Sequence, residues 1–466
     1  MMRVLAVCCL VLAACEGDPT TLTLEQLQDP DTCMDCHPKH YEEWSASMHA
    51  YASDDPVFLA MNKRGQRETN NALGTFCVSC HAPMAVATEL TTGIDFDPAT
   101  LPKSMKGVTC YFCHNVDKLV DDHNNGLQVA LDTTMRGGVK NPTGNSAHGV
   151  KYDPMMDSDI NDSAMCGSCH DVVTPKGVHL ERTFAEWKTT FFADEDPRLH
   201  LTCGSCHMRS FDDVVADDPD ANVPLRTGGR HRHTFAAIDQ AMTPWPGMAL
   251  NAEHLQQDLD AAVDLIGPKP LGGFAKGGIC VPPDGTITVR LDTIGVGHAF
   301  PSGAAQDRRA WLEVIAYDAS NQIVFQSGVV ADGEDPPALR TANFAGFWDA
   351  TWKDAAKTQE AHFFWDVEVV DSKLLLPPVT LDPNDPRFDH SATSTFNVGG
   401  AITNQIDRIE ARMRIRPFAF AVLDELIASG DLDPSIRTKL PTLEMAGTRS
   451  TWTRATKDPV TACNLF

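Results

Sequence analysis

Five times along the chain, two cysteines stand three residues apart with a histidine directly after the second. The sites are Cys33/Cys36/His37, Cys77/Cys80/His81, Cys110/Cys113/His114, Cys166/Cys169/His170 and Cys203/Cys206/His207. This spacing suits covalent attachment of haem. On one helical turn both thiols face the same way and can join the two vinyl groups of one porphyrin, while the adjoining histidine offers its imidazole to the iron. A zinc site would match one C-x-x-C against another and would not need the histidine in the same place each time. Five covalently bound haem c groups are therefore expected, with ten cysteines as attachment points. His37, His81, His114, His170 and His207 are the expected proximal ligands.

The second axial ligand decides what each iron can do. A second imidazole gives a six-coordinate, low-spin centre suited to passing single electrons, whereas an iron without one is open to small ligands. With 17 histidines in the chain, candidates outnumber irons.

The segment CMDCHPKHYEEWSASMHA (33–50) resembles the first-haem region of multihaem c-type cytochromes. These are similar to the tetrahaem cytochromes that accept electrons from hydroxylamine oxidoreductase. The resemblance extends over residues 31–235 and implies His49 as a distal ligand. NSAHG (145–149) resembles another distal-ligand element and points to His148. RHRHTF (230–235) resembles a third and points to His233, with His231 as second choice. The other of that pair, flanked by Arg230 and Arg232, would then face haem propionates. Further on, VGHAFPSGAAQDRRAWLEV (296–314) resembles the G-H-x-F-P-[ST]-G segment that follows the haem domain in many large multihaem cytochromes. It implies that His298 reaches across to a haem. His123 and His179 are further candidates, while His40 reads as a surface or propionate-contacting group.

The elements that must position these groups are uneven. The motif region is rich in Pro, Gly and Asp, and its copies are too irregularly spaced for a repeat architecture. The macrocycles themselves would supply much of its core. Residues 38–51 read as a helix carrying His49. Residues 251–266 read as an amphipathic helix, with Leu255, Leu259, Ala262, Val263 and Ile266 on one face and Gly267-Pro268 as the stop. After that the period changes to two. Residues 286–294, 309–318, 322–330, 361–370 and 408–416 read as strands, followed by a short helix over 418–429, and the remainder to Phe466 is expected to pack back on the sheet. The expected fold is a mostly α and irregular multihaem domain followed by a β-sandwich-like domain, α+β overall. The expected divisions are a signal peptide at 1–14, a tether at 15–30, the haem domain at 31–240, a helical linker at 241–279 and the β domain at 280–466.

The N-terminus, MMRVLAVCCLVLAAC, has one Arg, an apolar run too short to span a bilayer, then small residues before Cys15. It resembles the lipobox of bacterial lipoproteins, which implies lipidation of Cys15 and a protein held in the cell envelope, at the periplasmic face or the cell surface. Thioether attachment of haem outside the cytoplasm agrees with export. Of the 15 cysteines, Cys8 and Cys9 would leave with the signal, and Cys280 and Cys463 are left over and are expected to form a disulfide. The formal net charge of −25 argues against nucleic acid as a partner and favours redox partners with a basic docking patch. The leading expectation is an electron carrier with no catalytic residues of its own. The alternative is an oxidoreductase in which one open haem acts on a small nitrogen or sulfur species or a peroxide. A third possibility is a structural subunit of a larger surface conduit. No dinucleotide, phosphate-loop or hydrolase motif stands in a credible context.

Overall fold

The computed structural model describes residues 21–143, 147–157, 162–218, 223–265, 278–282, 284–293, 295–388 and 390–455. Cys15, Cys463 and the proposed signal segment lie outside these residues. No helix among the described residues is long and apolar enough to cross a membrane.

Most of the motifs sit on very short helices: Val78–His81, Cys110–His114, Asp162–His170 and Cys203–His207. Helices of this length are not stable alone in water. Local caps start two of them. Thr109 accepts a hydrogen bond from the Phe112 amide, and Thr202 with Ser205 forms a reciprocal capping box. Packing does the rest. Phe58, Val78, Met84, Tyr111 and Phe112 form one buried cluster around the second and third motifs.

The helix expected over 38–51 is broken. Pro38–Ser45 stops at Ala46, and Met48–Tyr51 begins again under Ser47. Ser47 Oγ donates to Trp44 O at 2.7 Å and accepts from Ala50 N at 3.3 Å, so it ends one helix and caps the next. The break re-aims His49. Gly107, in the left-handed region at φ +59°, packs against it. A Cβ there would lie 2.5 Å from His49 O, so only glycine fits.

The later residues build two sheets. The four-stranded sheet centres on Thr286–Asp292, which pairs antiparallel with Ala392–Asn397, Ile279–Cys280 and Asp264–Leu265. The five-stranded sheet centres on Arg309–Asp318 and Ile406–Arg416, with Ile323–Ser327, Gly346–Phe347 and Leu443–Thr453 alongside. Ile287, Val289, Leu291 and Phe396 from the first share one apolar core with Leu312, Val314, Ile409 and Met413 from the second. The central strand Thr286–Asp292 buries alternate residues, as a sheet packed on one face requires.

Three expectations about elements need correction. The helix over 251–266 runs instead over Met248–Ala262. From Val263 the chain is extended, because Asp264 and Leu265 pair with Asp292 and Leu291 at the sheet edge. The apolar run over 361–370 is mostly turns. Phe363 and Trp365 instead pack against the helix Phe420–Ala428, and only Val369–Ser372 forms a strand, paired with Asp349–Trp352. Leu443–Thr453, read only as chain packing back on the sheet, is one of its longest strands.

Candidate haem sites

Two pairs of neighbouring thiols order the motifs in space. Cys33 of the first lies beside Cys110 of the third, and Cys80 of the second lies beside Cys169 of the fourth. Ser163 Oγ, on the helix of the fourth motif, accepts from Cys203 N of the fifth at 3.0 Å. The first and third motifs are thus neighbours, the second and fourth are neighbours, and the fifth adjoins the fourth.

None of the ten motif thiols forms a disulfide. Burial pushes Cys77 and Cys113 up to about 12, which protects both from thiol exchange, since exchange proceeds through the thiolate. Cys206 differs from the other nine motif cysteines. It is exposed, whereas Cys33, Cys36, Cys77, Cys80, Cys110, Cys113, Cys166, Cys169 and Cys203 are half-buried. The cause is the helix Cys203–His207, which buries only Gly204 and so leaves its C-terminal end at the surface. A haem attached there would carry its Cys206 thioether at the protein surface, with Cys203 on the inner side against Ser163.

The imidazoles fall into pairs. Ring centroids are 6.5 Å apart for His37 and His148, 6.2 Å for His49 and His170, 6.4 Å for His114 and His233, and 6.4 Å for His207 and His298. These rings are too far apart to touch face to face. By contrast, His81 stacks on Phe58 at 4.0 Å with planes 4° apart. A ring nitrogen lies about 1.1 Å from its centroid and binds a transition metal at about 2.0–2.1 Å, so one metal between two imidazoles sets the centroids about 6.3 Å apart. The four pairs meet that requirement.

Hydrogen bonds behind the rings point the same way. Nδ1 of His37 meets Val215 O at 2.6 Å, His114 meets Arg136 O at 2.6 Å, His81 meets Ala52 O at 3.0 Å and His207 meets Ala236 O at 3.0 Å. Among the histidines paired with them, His148 meets Gly149 O at 3.0 Å, His233 meets His231 O at 2.7 Å and His298 meets Ala299 O at 2.8 Å. With Nδ1 donating to a carbonyl, the tautomer leaves Nε2 free to bind metal and fixes the ring. Burial pushes His49 and His233 down to about 3, and His170 and His298 to about 4. All four rings are therefore neutral near neutral pH, the form that binds metal. These residues fit a set of haem groups: the motif cysteines would attach them and the paired imidazoles would ligate them. When bound, such groups supply one-electron chemistry.

His298 reaches its place because its loop is clamped to the helix Thr183–Trp187. Glu186 accepts from Ala299 N at 3.2 Å and Ser302 Oγ at 2.7 Å, and Thr183 Oγ1 accepts from Gly303 N at 2.9 Å. Arg308 adds two 3.0 Å bonds to Asp239.

Other candidates are placed differently. His231 points its Nδ1 at Met208 O and is not paired with a proximal ring. Its neighbours Arg230 and Arg232 are engaged by Glu43 and Asp258, at 3.0 and 2.6 Å, rather than held open for propionates. His123 sits in a partly exposed cluster with Asp121 and Asp122, and His179 is exposed. His40, expected as a surface or propionate-contacting group, lies against His37 and His233, with ring centroids 5.7 and 4.8 Å away. Burial holds it down at about 2. Sequence reasoning also missed Phe235, whose ring lies 4.5 Å from His49 and 5.5 Å from His233. Its only signal was its place beside the H-x-H pair. Cys280 is disulfide-bonded, and Cys463 lies outside the described residues.

No curated protein matches the chain. Residues 32–115 match the family model described as cytochrome c554 and c-prime. A crystal structure of a penta-haem cytochrome c552 from Thermochromatium tepidum superposes with a TM-score of 0.58 at 16% identity, over 92% of this chain and 99% of that one. The chain thus has the fold of a multihaem c-type cytochrome.

Proposed function

We propose that the chain is a pentahaem c-type cytochrome that transfers electrons in the bacterial cell envelope. The observation that carries this reading is the set of four imidazole pairs at metal-bridging spacing, with the motifs adjacent as described. His148, His49, His233 and His298 serve as second ligands to the irons of His37, His170, His114 and His207. Bis-imidazole irons change little on gaining or losing an electron, and adjacent centres allow the charge to move through the protein. The proposed lipid anchor at Cys15 keeps the carrier at a membrane surface, and a Cys280–Cys463 disulfide holds the chain end.

The partners are redox proteins with a basic patch, because the chain carries a formal charge of −25. The test is electron exchange between the haem-loaded protein and a basic cytochrome at rising salt. The rate should fall several-fold between about 10 mM and 150 mM ionic strength, as the Debye length contracts from about 30 to 8 Å. A salt-independent rate would contradict the reading.

One observation favours a second reading. Among the described residues, His81 has no imidazole at the spacing seen for the other four, and its neighbouring ring is Phe58. An iron held there without a second histidine would be open to a small nitrogen or sulfur species or a peroxide, and the other four haems would feed it electrons.

A further inference from the structure

The segment Arg230–Ala236 touches three of the proposed haem sites within seven residues. His233 pairs with His114 at the third. Phe235 packs on His49 at the fourth. Ala236 O accepts from His207 Nδ1 at the fifth. Phe235 has φ +46°. For a bulky non-glycine residue this is a costly conformation, which persists only where the surroundings over-determine it. Here they do. Arg230 is fixed by Glu43 at 3.0 Å, Arg232 by Asp258 at 2.6 Å, Thr234 Oγ1 by His254 Nδ1 at 2.9 Å and Ala236 by His207 at 3.0 Å. Anchors thus stand on both sides of the strained residue.

The strain puts one ring against two ligands. Phe235 meets His49 with planes 56° apart and His233 with planes 76° apart. His40 also meets His233, with planes 77° apart. Two near-perpendicular rings therefore pack against His233. His49 is held by Phe235 in the pair with the largest tilt: its plane lies 51° from His170, against 32°, 20° and 10° in the other three pairs.

We propose that Phe235 is a positioning residue that sets the ring planes of His233 and His49 together and so ties the ligand geometry of the third haem to that of the fourth. This rests on the ligation proposed above. Ligand-plane angle is one of the ways a protein tunes a bis-imidazole iron without changing its ligands, because it alters the orbital splitting of the low-spin ferric state.

The test uses Phe235→Gly in the haem-loaded protein, with Phe235→Tyr as the conservative companion. Glycine accepts φ +46° without strain, so the ring is removed while the backbone is eased. Haem content and the number of low-spin signals by electron paramagnetic resonance are read first. If the wild type itself lacks four bis-imidazole signals, the ligation reading fails. With ligation established, Phe235→Gly should keep five haems and four low-spin signals. It should shift the largest g value of two of them, with the most anisotropic moving towards the others, and shift the potentials of two haems. Phe235→Tyr should restore the wild-type spectrum. Unchanged signals in Phe235→Gly would overturn the proposal. So would an equal shift of every haem, or a Phe235→Tyr spectrum matching that of Phe235→Gly.

Discussion

His298 comes from the β-rich part of the sequence, yet its ring stands 6.4 Å from that of His207. His298→Ala should therefore lower the count of low-spin haems by one and let the reduced protein bind one additional equivalent of carbon monoxide, both read spectroscopically. An unchanged count would remove His298 from the ligand set. Glu181 offers a second residue-scale prediction. Burial pushes its carboxyl from 4.5 up to about 7, against the pull of Arg308. Between those values the folded state holds a proton that the unfolded chain releases, so stability falls as pH rises from about 4.5 to 7. Chemical denaturation should show that slope flattened in Glu181→Gln, with the variant gaining stability above pH 7. A variant with the wild-type slope would contradict this. The proposed attachment residues stand out in the sequence because Cys-x-x-Cys-His is a local pattern with one chemical rationale. Their burial was not: Cys206 belongs to the same pattern as the other nine and still ends at the surface. The second histidines came from resemblance, and which imidazole faces which was not legible, because His37 meets His148 only through the tertiary fold. The enclosure of His40 and the role of Phe235 were not legible for the same reason: His40 meets His233, and Phe235 meets His49, only through the tertiary fold.

Ser47 decides where one helix ends and the next begins, and so where His49 points. Ser47→Ala should cost about 1 kcal/mol, typical of a lost N-cap, measured by denaturant unfolding. It should also broaden the signal of the haem ligated by His49. A loss near zero would mean that packing alone fixes the break. Elements with a strong period were legible: Arg309–Asp318 was read with both ends correct. Elements decided by partners were not. Val263 leaves its helical period because the sheet edge beside Thr286–Asp292 is open to Asp264 and Leu265. The run around Phe363 looks like a strand in its apolarity, but its aromatics fill a cluster beneath the helix Phe420–Ala428.

Across the whole molecule, the Cys-x-x-Cys-His motifs, the imidazole pairs and the clamped His298 loop support the arrangement proposed above: five haems, four of them held between two histidines. The motif region is built of short helices and two-stranded pairs, which would frame the proposed haem groups rather than one another. The two sheets share an apolar core that includes Val296 and Phe300, which flank His298. The most direct test is the spin and ligand state of every iron in the purified, haem-loaded protein, by electron paramagnetic resonance of the oxidised form and carbon monoxide titration of the reduced form. The arrangement predicts four bis-imidazole low-spin haems that ignore carbon monoxide and one haem, held by His81, that binds it in a ratio of one per protein. Fewer than four low-spin haems, or carbon monoxide binding to none or to several, would contradict it.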